Sequence, residues 1–296
     1  MYKTRYINLI LLIFAQSSFS QSPSDWDYLV YSQRWPITAC AEWEEKNKSN
    51  TCTLPNPEAW TIHGLWPNKI GKEGPFNCPS AIHFDPQALE PIRDELNARW
   101  TNIEANTKPD SFWKHEWVKH GTCASSLPQL NSVFNYFNNG LRLNKEYNIM
   151  DILMQGGVKP GGNGYNVMDL NNAIVSVTNT KPVIFCEVDK RTKESLLSEI
   201  RICFNKSLEL IDCIPNGPIH DFESHGDVLT NCNLDKSVKY YADLPMIYAD
   251  PFNYDIDMYE EYDKRLAAYQ LHRHIKFRED LLDFYRYIRF LIWFTF

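Results

Sequence analysis

The sequence predicts a chain that mixes strands with helices and is stapled by disulfides. Three observations lead there. Short runs at 26–39, 60–66, 182–188, 198–205 and 208–214 have strand character. Segments 86–100, 111–120 and 129–149 have helical character. Eight cysteines, an even number, follow an N-terminal segment built like a secretion signal.

That N-terminal segment has a basic start at Lys3 and Arg5 and an apolar run from Ile7 to Ala15, interrupted by Asn8. Ser18 and Ser20 then supply small residues for cleavage before Gln21, so residues 1–20 read as a signal peptide. The run is too short for an uncleaved anchor, which takes about 20 apolar residues. No other segment reads as a membrane span. The expected location is secreted and extracellular, or endolysosomal by the secretory route. In that oxidising setting Cys40, Cys52, Cys78, Cys123, Cys186, Cys203, Cys213 and Cys232 predict four disulfides, with the pairing open. No two of them have the spacing of a zinc knuckle. Asn47-Lys48-Ser49 and Asn205-Lys206-Ser207 are glycosylation acceptors if exposed.

Hydrophobic residues make up 44% and charged residues 23% of 296, enough for a real core in one main domain, expected over 21–245. The formal charge of −7 argues against tight binding of a polyanion by a basic surface. It leaves open an enzyme that cuts such a polymer and releases it.

In chain order, 26–39 reads as an opening half-buried strand ended by Pro36. Residues 41–58 are polar and read as a loop that Cys40 and Cys52 could clamp. Trp60 to Trp66 is a buried strand with one polar interruption, His63. Residues 67–86 form a long loop rich in Pro, Gly and Asn. Pro86 to Trp100 shows helical spacing at Leu89, Ile92 and Leu96. Asp110 is placed to cap one helix over Ser111 to His120, and Gly121 to end it. The glycine-rich stretch from Gly156 to Gly164 lacks a phosphate-loop pattern and reads as a turn. Leu208 to Ile214 pairs with the strand Ser198 to Asn205 as a hairpin that Cys203 and Cys213 could staple. Beyond residue 245 Asp257 and Glu260 resemble a capping box, and Leu271, Ile275, Leu282, Tyr285 and Ile292 predict a helical extension over 246–296. An EF-hand there fails, because Met258 stands where glycine is needed and Lys264 where the glutamate is needed.

The chemistry is concentrated in Phe112-Trp113-Lys114-His115-Glu116-Trp117-Val118-Lys119-His120. On a straight helix, with His115 at zero, Lys119 falls at about 40°, Glu116 at about 100° and His120 at about 140°. A solvated polar face is the ordinary reading of such a stripe. Two histidines flanked by large aromatics weaken it. A zinc-protease helix needs histidines four apart, whereas these are five apart and Lys119 takes the ligand position. A cofactor-free acid–base site fits better: one imidazole accepts a proton, another donates one, and a lysine offsets negative charge. This is what internal phosphoryl transfer in RNA requires, and DNA lacks the attacking 2′-hydroxyl.

Trp60-Thr61-Ile62-His63-Gly64-Leu65-Trp66-Pro67 and the segment from Phe112 to Cys123 together resemble the two active-site segments of the ribonuclease T2 (Rh/T2/S) family of secreted and lysosomal endoribonucleases. Gln33-Arg34-Trp35-Pro36, Pro182 before Cys186, and the Cys203/Cys213 pair extend the resemblance over roughly 26–240. It implies an α+β fold with a central antiparallel β-sheet flanked by helices. It implies cleavage of single-stranded RNA through a 2′,3′-cyclic phosphate to 3′-phosphate ends, with no metal and no cofactor. By the same resemblance His120 is the base and His63 the acid. His115 binds phosphate, Glu116 and Lys119 stabilise the pentacovalent state, and Trp66 stacks on a base. The implied disulfides are Cys40–Cys52, Cys78–Cys123, Cys186–Cys232 and Cys203–Cys213.

Asn68 replaces an aspartate common in relatives, which puts base preference in doubt. Gly161 and Thr101 are departures that read as structural. The tail has no counterpart. His83, His220, His225, His272 and His274 read as incidental. The rival reading is a secreted protein that acts by binding and keeps the fold as a scaffold; five intact ionisable residues favour the enzyme. A monomer is expected.

Overall fold

The computed structural model describes residues 25–54, 59–72, 74–161, 164–214, 223–225 and 228–243. The expected signal peptide, the helical extension, His220, His272, His274 and the side chain of His225 lie outside the described residues.

β1 (Tyr28–Arg34) leads into α1 (Pro36–Lys46), and β2 (Thr61–Asn68) follows. A 3-10 turn at Pro86–Ile92 runs into α2 (Arg93–Arg99). α3 (Ser111–Glu116) continues through a π-turn at Trp117–Gly121 into the single turn α4 (Thr122–Ala124). Three helices come next: α5 (Val133–Glu146), α6 (Ile149–Gln155) and α7 (Val167–Thr178). The remaining strands are β3 (Val183–Val188), β4 (Ser195–Phe204), β5 (Leu210–Ile211), β6 (Glu223–His225), β7 (Val228–Thr230) and β8 (Val238–Lys239).

The described strands form one sheet ordered β2-β1-β4-β3-β7-β6, with β5 and β8 paired to β4. Its long pairs are antiparallel, and only β3–β7 and β4–β8 are parallel. The fold is therefore α+β, a largely antiparallel sheet packed by helices. Leu29 and Tyr31 of β1 join the main core with Trp35, Trp60, Trp100, Trp117, Tyr136 and Phe137. Tyr28 and Val30 join a smaller cluster on the other face with Val183, Phe185 and Cys203. β1 is thus buried on both faces, not half-buried, because a second layer of residues covers the face that alternation assigns to solvent.

Several expectations are corrected. The opening strand stops at Arg34, and Pro36 begins a helix that runs to Lys46. Proline suits a first helical position, where its missing N–H costs nothing. The loop expected from residue 41 is therefore helical over its first part. Asp110 precedes α3 but has φ 60°, and its side chain does not cap; it takes Arg93 at 2.8 Å instead. Gly121 does not end the helix. Its backbone is packed so close to the Trp117 ring that a Cβ would clash, and the chain stays helical to Ala124. α7 was not foreseen, although Asn166 caps it through Met168 N at 2.8 Å.

The disulfides are Cys40–Cys52, Cys78–Cys123, Cys186–Cys232 and Cys203–Cys213, the four pairs that the family resemblance implies. Cys78–Cys123 ties the loop after β2 to the end of the α3–α4 helix. Among the described residues no helix is long and apolar enough to cross a membrane.

Candidate active site

The site forms where β2 meets the α3–α4 helix. β2 has a bulge against β1: Ser32 pairs with Gly64 and Gln33 with Ile62, so His63 is the extra residue. A bulge breaks the alternation of a strand and re-aims a side chain. His63 is thereby turned toward the helix, and Trp100 Nε1 donates to its carbonyl at 3.1 Å. On the helix, the N–H of Thr122 reaches back to the carbonyl of Trp117, five residues away. This wide turn replaces the straight helix on which the angular spacing of Glu116, Lys119 and His120 was reckoned.

A cleft of about 420 Å³ brings together His63, Trp66, Asn68, His115, Glu116, Lys119 and His120, all seven predicted site residues outside the disulfides and sequons. Trp66 is its hub. Its ring lies edge-on to His63 at 4.9 Å and is tilted over His120 at 5.2 Å. Its indole N–H donates to Glu116 Oε2 at 2.8 Å. Gly64 permits this arrangement, since a Cβ there would strike both the Trp66 indole and the Glu116 carboxylate.

The two outer histidines differ. His63 is about a third exposed, and its Nδ1 lies 2.5 Å from Glu199 Oε2. His120 is buried, and its Nδ1 has no hydrogen-bond partner among the described residues. Burial first, then the charges of Lys119, His63, His115 and Arg201, lowers the His120 pKa from 6.5 to about 2, so the ring is neutral. His115 is exposed on the rim; burial of part of its ring, then Lys119 and His63, lowers its pKa as well. Glu116 is 1% exposed, and burial raises its pKa against the opposing pull of His63 and Trp66.

Sequence reasoning missed Glu199, Arg201, Phe76, Phe112 and Arg34. Phe76 stands edge-on to His120 at 5.6 Å and under Lys119 Nζ at 5.5 Å. Phe112 faces His63 at 6.2 Å, with the Arg34 guanidinium 4.8 Å from the Phe112 ring centre. A second cavity, of about 360 Å³, lies around Arg34, Asn102, Glu104 and Phe112 and shares His63, His115 and Glu116 with the first. Glu199 and Arg201 left a trace in the sequence: two charges, two apart, inside the largely apolar strand β4.

Asn47 is exposed, while Asn205 is half-buried with Nδ2 donating to Glu209 at 2.8 Å. Among the described residues one group of potential metal ligands gathers, Cys40, Glu44 and Cys52, but its two sulfurs are joined in a disulfide.

Residues 26–213 match the family model described as the Ribonuclease T2 family. The chain belongs to the ribonuclease T2 family. It is an endoribonuclease, and RNA is its substrate class. It is similar to ribonuclease Oy of Magallana gigas, 42% identical over 193 residues, covering 64% of this chain and 88% of that one. It is similar to the extracellular ribonuclease LE of Solanum lycopersicum, 33% identical over 211 residues, with 69% and 88% covered. The solved structure of human RNase T2 superimposes with a TM-score of 0.57 at 28% identity, over 73% of this ribonuclease and 99% of that chain. The tail from residue 245 lies beyond the family match.

Proposed function

We propose that this ribonuclease cleaves single-stranded RNA by transphosphorylation, with His120 as general base and His63 as general acid. The observation that carries the reading is the contrast between the two imidazoles across Trp66. His120 is buried and neutral, able to accept the proton of a ribose 2′-hydroxyl. The freed oxygen attacks the adjacent phosphorus. His63, whose Nδ1 faces a carboxylate, protonates the departing 5′-oxygen from its other nitrogen. The 2′,3′-cyclic phosphate is then hydrolysed to a 3′-phosphate with the two roles reversed.

The phosphate enters among Lys119, His115 and His120. Its negative charge opposes the neighbouring cations that depress His120, so binding itself makes the base stronger. Lys119 offsets charge on the pentacovalent phosphorus. Burial favours the protonated form of Glu116, which can donate to a phosphoryl oxygen. Trp66 and Asn68 flank one nucleotide, and the adjoining cavity at Phe112 provides room for the next. Two cavities sharing a wall of His63, His115 and Glu116 suit a polymer that runs through the site rather than a terminal nucleotide.

The reaction uses no metal and spares DNA. The signal-like N-terminus, four disulfides and the exposed sequon at Asn47 support a secreted, glycosylated protein. The test is cleavage of a single-stranded RNA at pH 5 and pH 7.5 in EDTA, with the ends identified by phosphorus NMR. Cyclic phosphate appearing before 3′-phosphate is expected, and a 2′-deoxy residue at the cleavage position blocks the cut. Loss of activity in EDTA or cleavage at the deoxy position refutes the reading.

A further inference from the structure

We propose that Glu199 is the positioning residue of the acid: it holds the His63 ring by Nδ1, so that Nε2 alone meets the departing oxygen. The inference rests on the reading of His63 as acid and adds a residue to it.

Glu199 is 136 positions from His63 and lies on β4, two strands away. Two irregularities bring the pair together. One bulge sets His63 apart on β2. A second lies beside Glu199, where Phe185 pairs with Glu199 and Cys186 with Leu197, leaving Ser198 unmatched. Glu199 Oε2 then stands 2.5 Å from His63 Nδ1, while Oε1 stands 2.5 Å from Arg201 Nε. Arg201 is anchored in turn, its guanidinium 3.9 Å from the Phe185 ring and 5.0 Å from the Trp66 ring. The Glu199 side chain is 11% exposed.

A carboxylate that faces Nδ1 makes that nitrogen the proton-bearing one in the neutral ring. It leaves Nε2 free to carry the proton that is transferred. Burial alone would neutralise Glu199, but Arg201 and His63 overcome it and keep the group ionised far below the ordinary carboxylate range. Glu199 therefore accepts a hydrogen bond without taking the proton. In cleavage the O–H bond forms between the 5′-oxygen and the His63 Nε2 proton, the P–O bond breaks, and the Nδ1 proton stays where it was. Arg201 keeps the carboxylate from turning toward solvent. The charged face of β4 thereby has a use that the fold alone does not ask of it.

The experiment compares two substrates. One is a dinucleoside phosphodiester, whose departing alkoxide needs a proton. The other is an aryl ester of a nucleoside 3′-phosphate, whose phenolate leaves without one. For Glu199→Gln we expect kcat on the dinucleotide to fall by roughly 10- to 100-fold, with KM within about two-fold, since Glu199 touches the His63 ring and acts on the proton transfer through it. On the aryl ester we expect a loss of less than about three-fold, and Glu199→Asp should recover part of the dinucleotide rate. An equal loss on both substrates, or none on either, overturns the role of Glu199. His63→Ala separates the two claims. If it shows the leaving-group dependence and Glu199→Gln does not, the acid stands and Glu199 falls. If His63→Ala itself shows none, the acid falls and Glu199 with it. If Glu199→Gln does not fold, nitrogen NMR of the native protein decides, since a neutral His63 protonated on Nε2 overturns the proposal.

Discussion

The strand that carries His63 and the helical turn that carries His120 reach one cleft by different means, and the residues end in opposite states. His63 stands on a bulge, partly open to solvent, with an ionised carboxylate at its back. His120 stands on a π-turn, buried under Trp66 and Phe76, with a lysine beside it and no partner for Nδ1 among the described residues. One side chain type is thus given two different environments, which is what the proposed division into proton donor and proton acceptor draws on. A site of this kind needs no difference in its two residues, only in what packs against them.

The largest effect should come from removing either of the two histidines. His63→Phe and His120→Phe are each expected to lower kcat on RNA by about 10³-fold or more, within the range of a lost acid or base. Circular dichroism should find both variants folded. Appreciable turnover in either breaks the comparison at its root.

The next effect falls on the His120 side alone. Replacing Cys78 and Cys123 by alanine removes a crosslink between residues 45 apart and should cost about 3 to 5 kcal/mol in denaturant unfolding. Removing Cys203–Cys213, only 10 apart, should cost about 1 kcal/mol less by loop entropy. If the two losses are equal, the helix end is not held by that bond.

Trp66 serves both histidines at once. Trp66→Ala should weaken nucleotide binding by about 1–3 kcal/mol, or roughly 5- to 150-fold, the worth of one base on an aromatic face. Titration calorimetry with a nucleoside monophosphate measures it. An unchanged affinity would confine Trp66 to holding Glu116.

The last effect is on stability against pH, and it is spread over several pH units. Between pH 6.5 and about 2 the unfolded chain protonates His120 and the native chain does not. Native stability therefore falls as pH drops below 6.5, by up to about 1.4 kcal/mol per pH unit from this residue. Denaturant midpoints from pH 7 to pH 4 should be less steep in His120→Phe than in the native protein. An identical slope would mean that His120 is not held neutral.

Much of this was legible locally. Strands at 60–66 and 182–188 and the helix from Ser111 declared themselves, because apolar spacing within a few residues decides which face is buried. The segment 36–46 did not. Proline ends a strand and starts a helix with equal ease, and only the packing of Ile37, Cys40 and Ala41 against the body of the fold chose between them. The bulge at His63 and the π-turn at His120 were hidden for a related reason. Each adds one residue to a regular repeat, and the repeat is all that a periodic reading can see.

By itself the sequence determined which residues to look for in one cleft, how many disulfides there are and which family the chain resembles, since these follow from residue identity and short spacing. The tertiary structure decided that His63 meets Glu199 across 136 positions, that Trp66 joins both imidazoles, and that His120 is stripped of solvent. A proton's affinity for a ring depends on water, on charge and on hydrogen bonds within a few ångströms. Those neighbours come from strands and helices distant in sequence, so the two histidines became different only when the chain had folded.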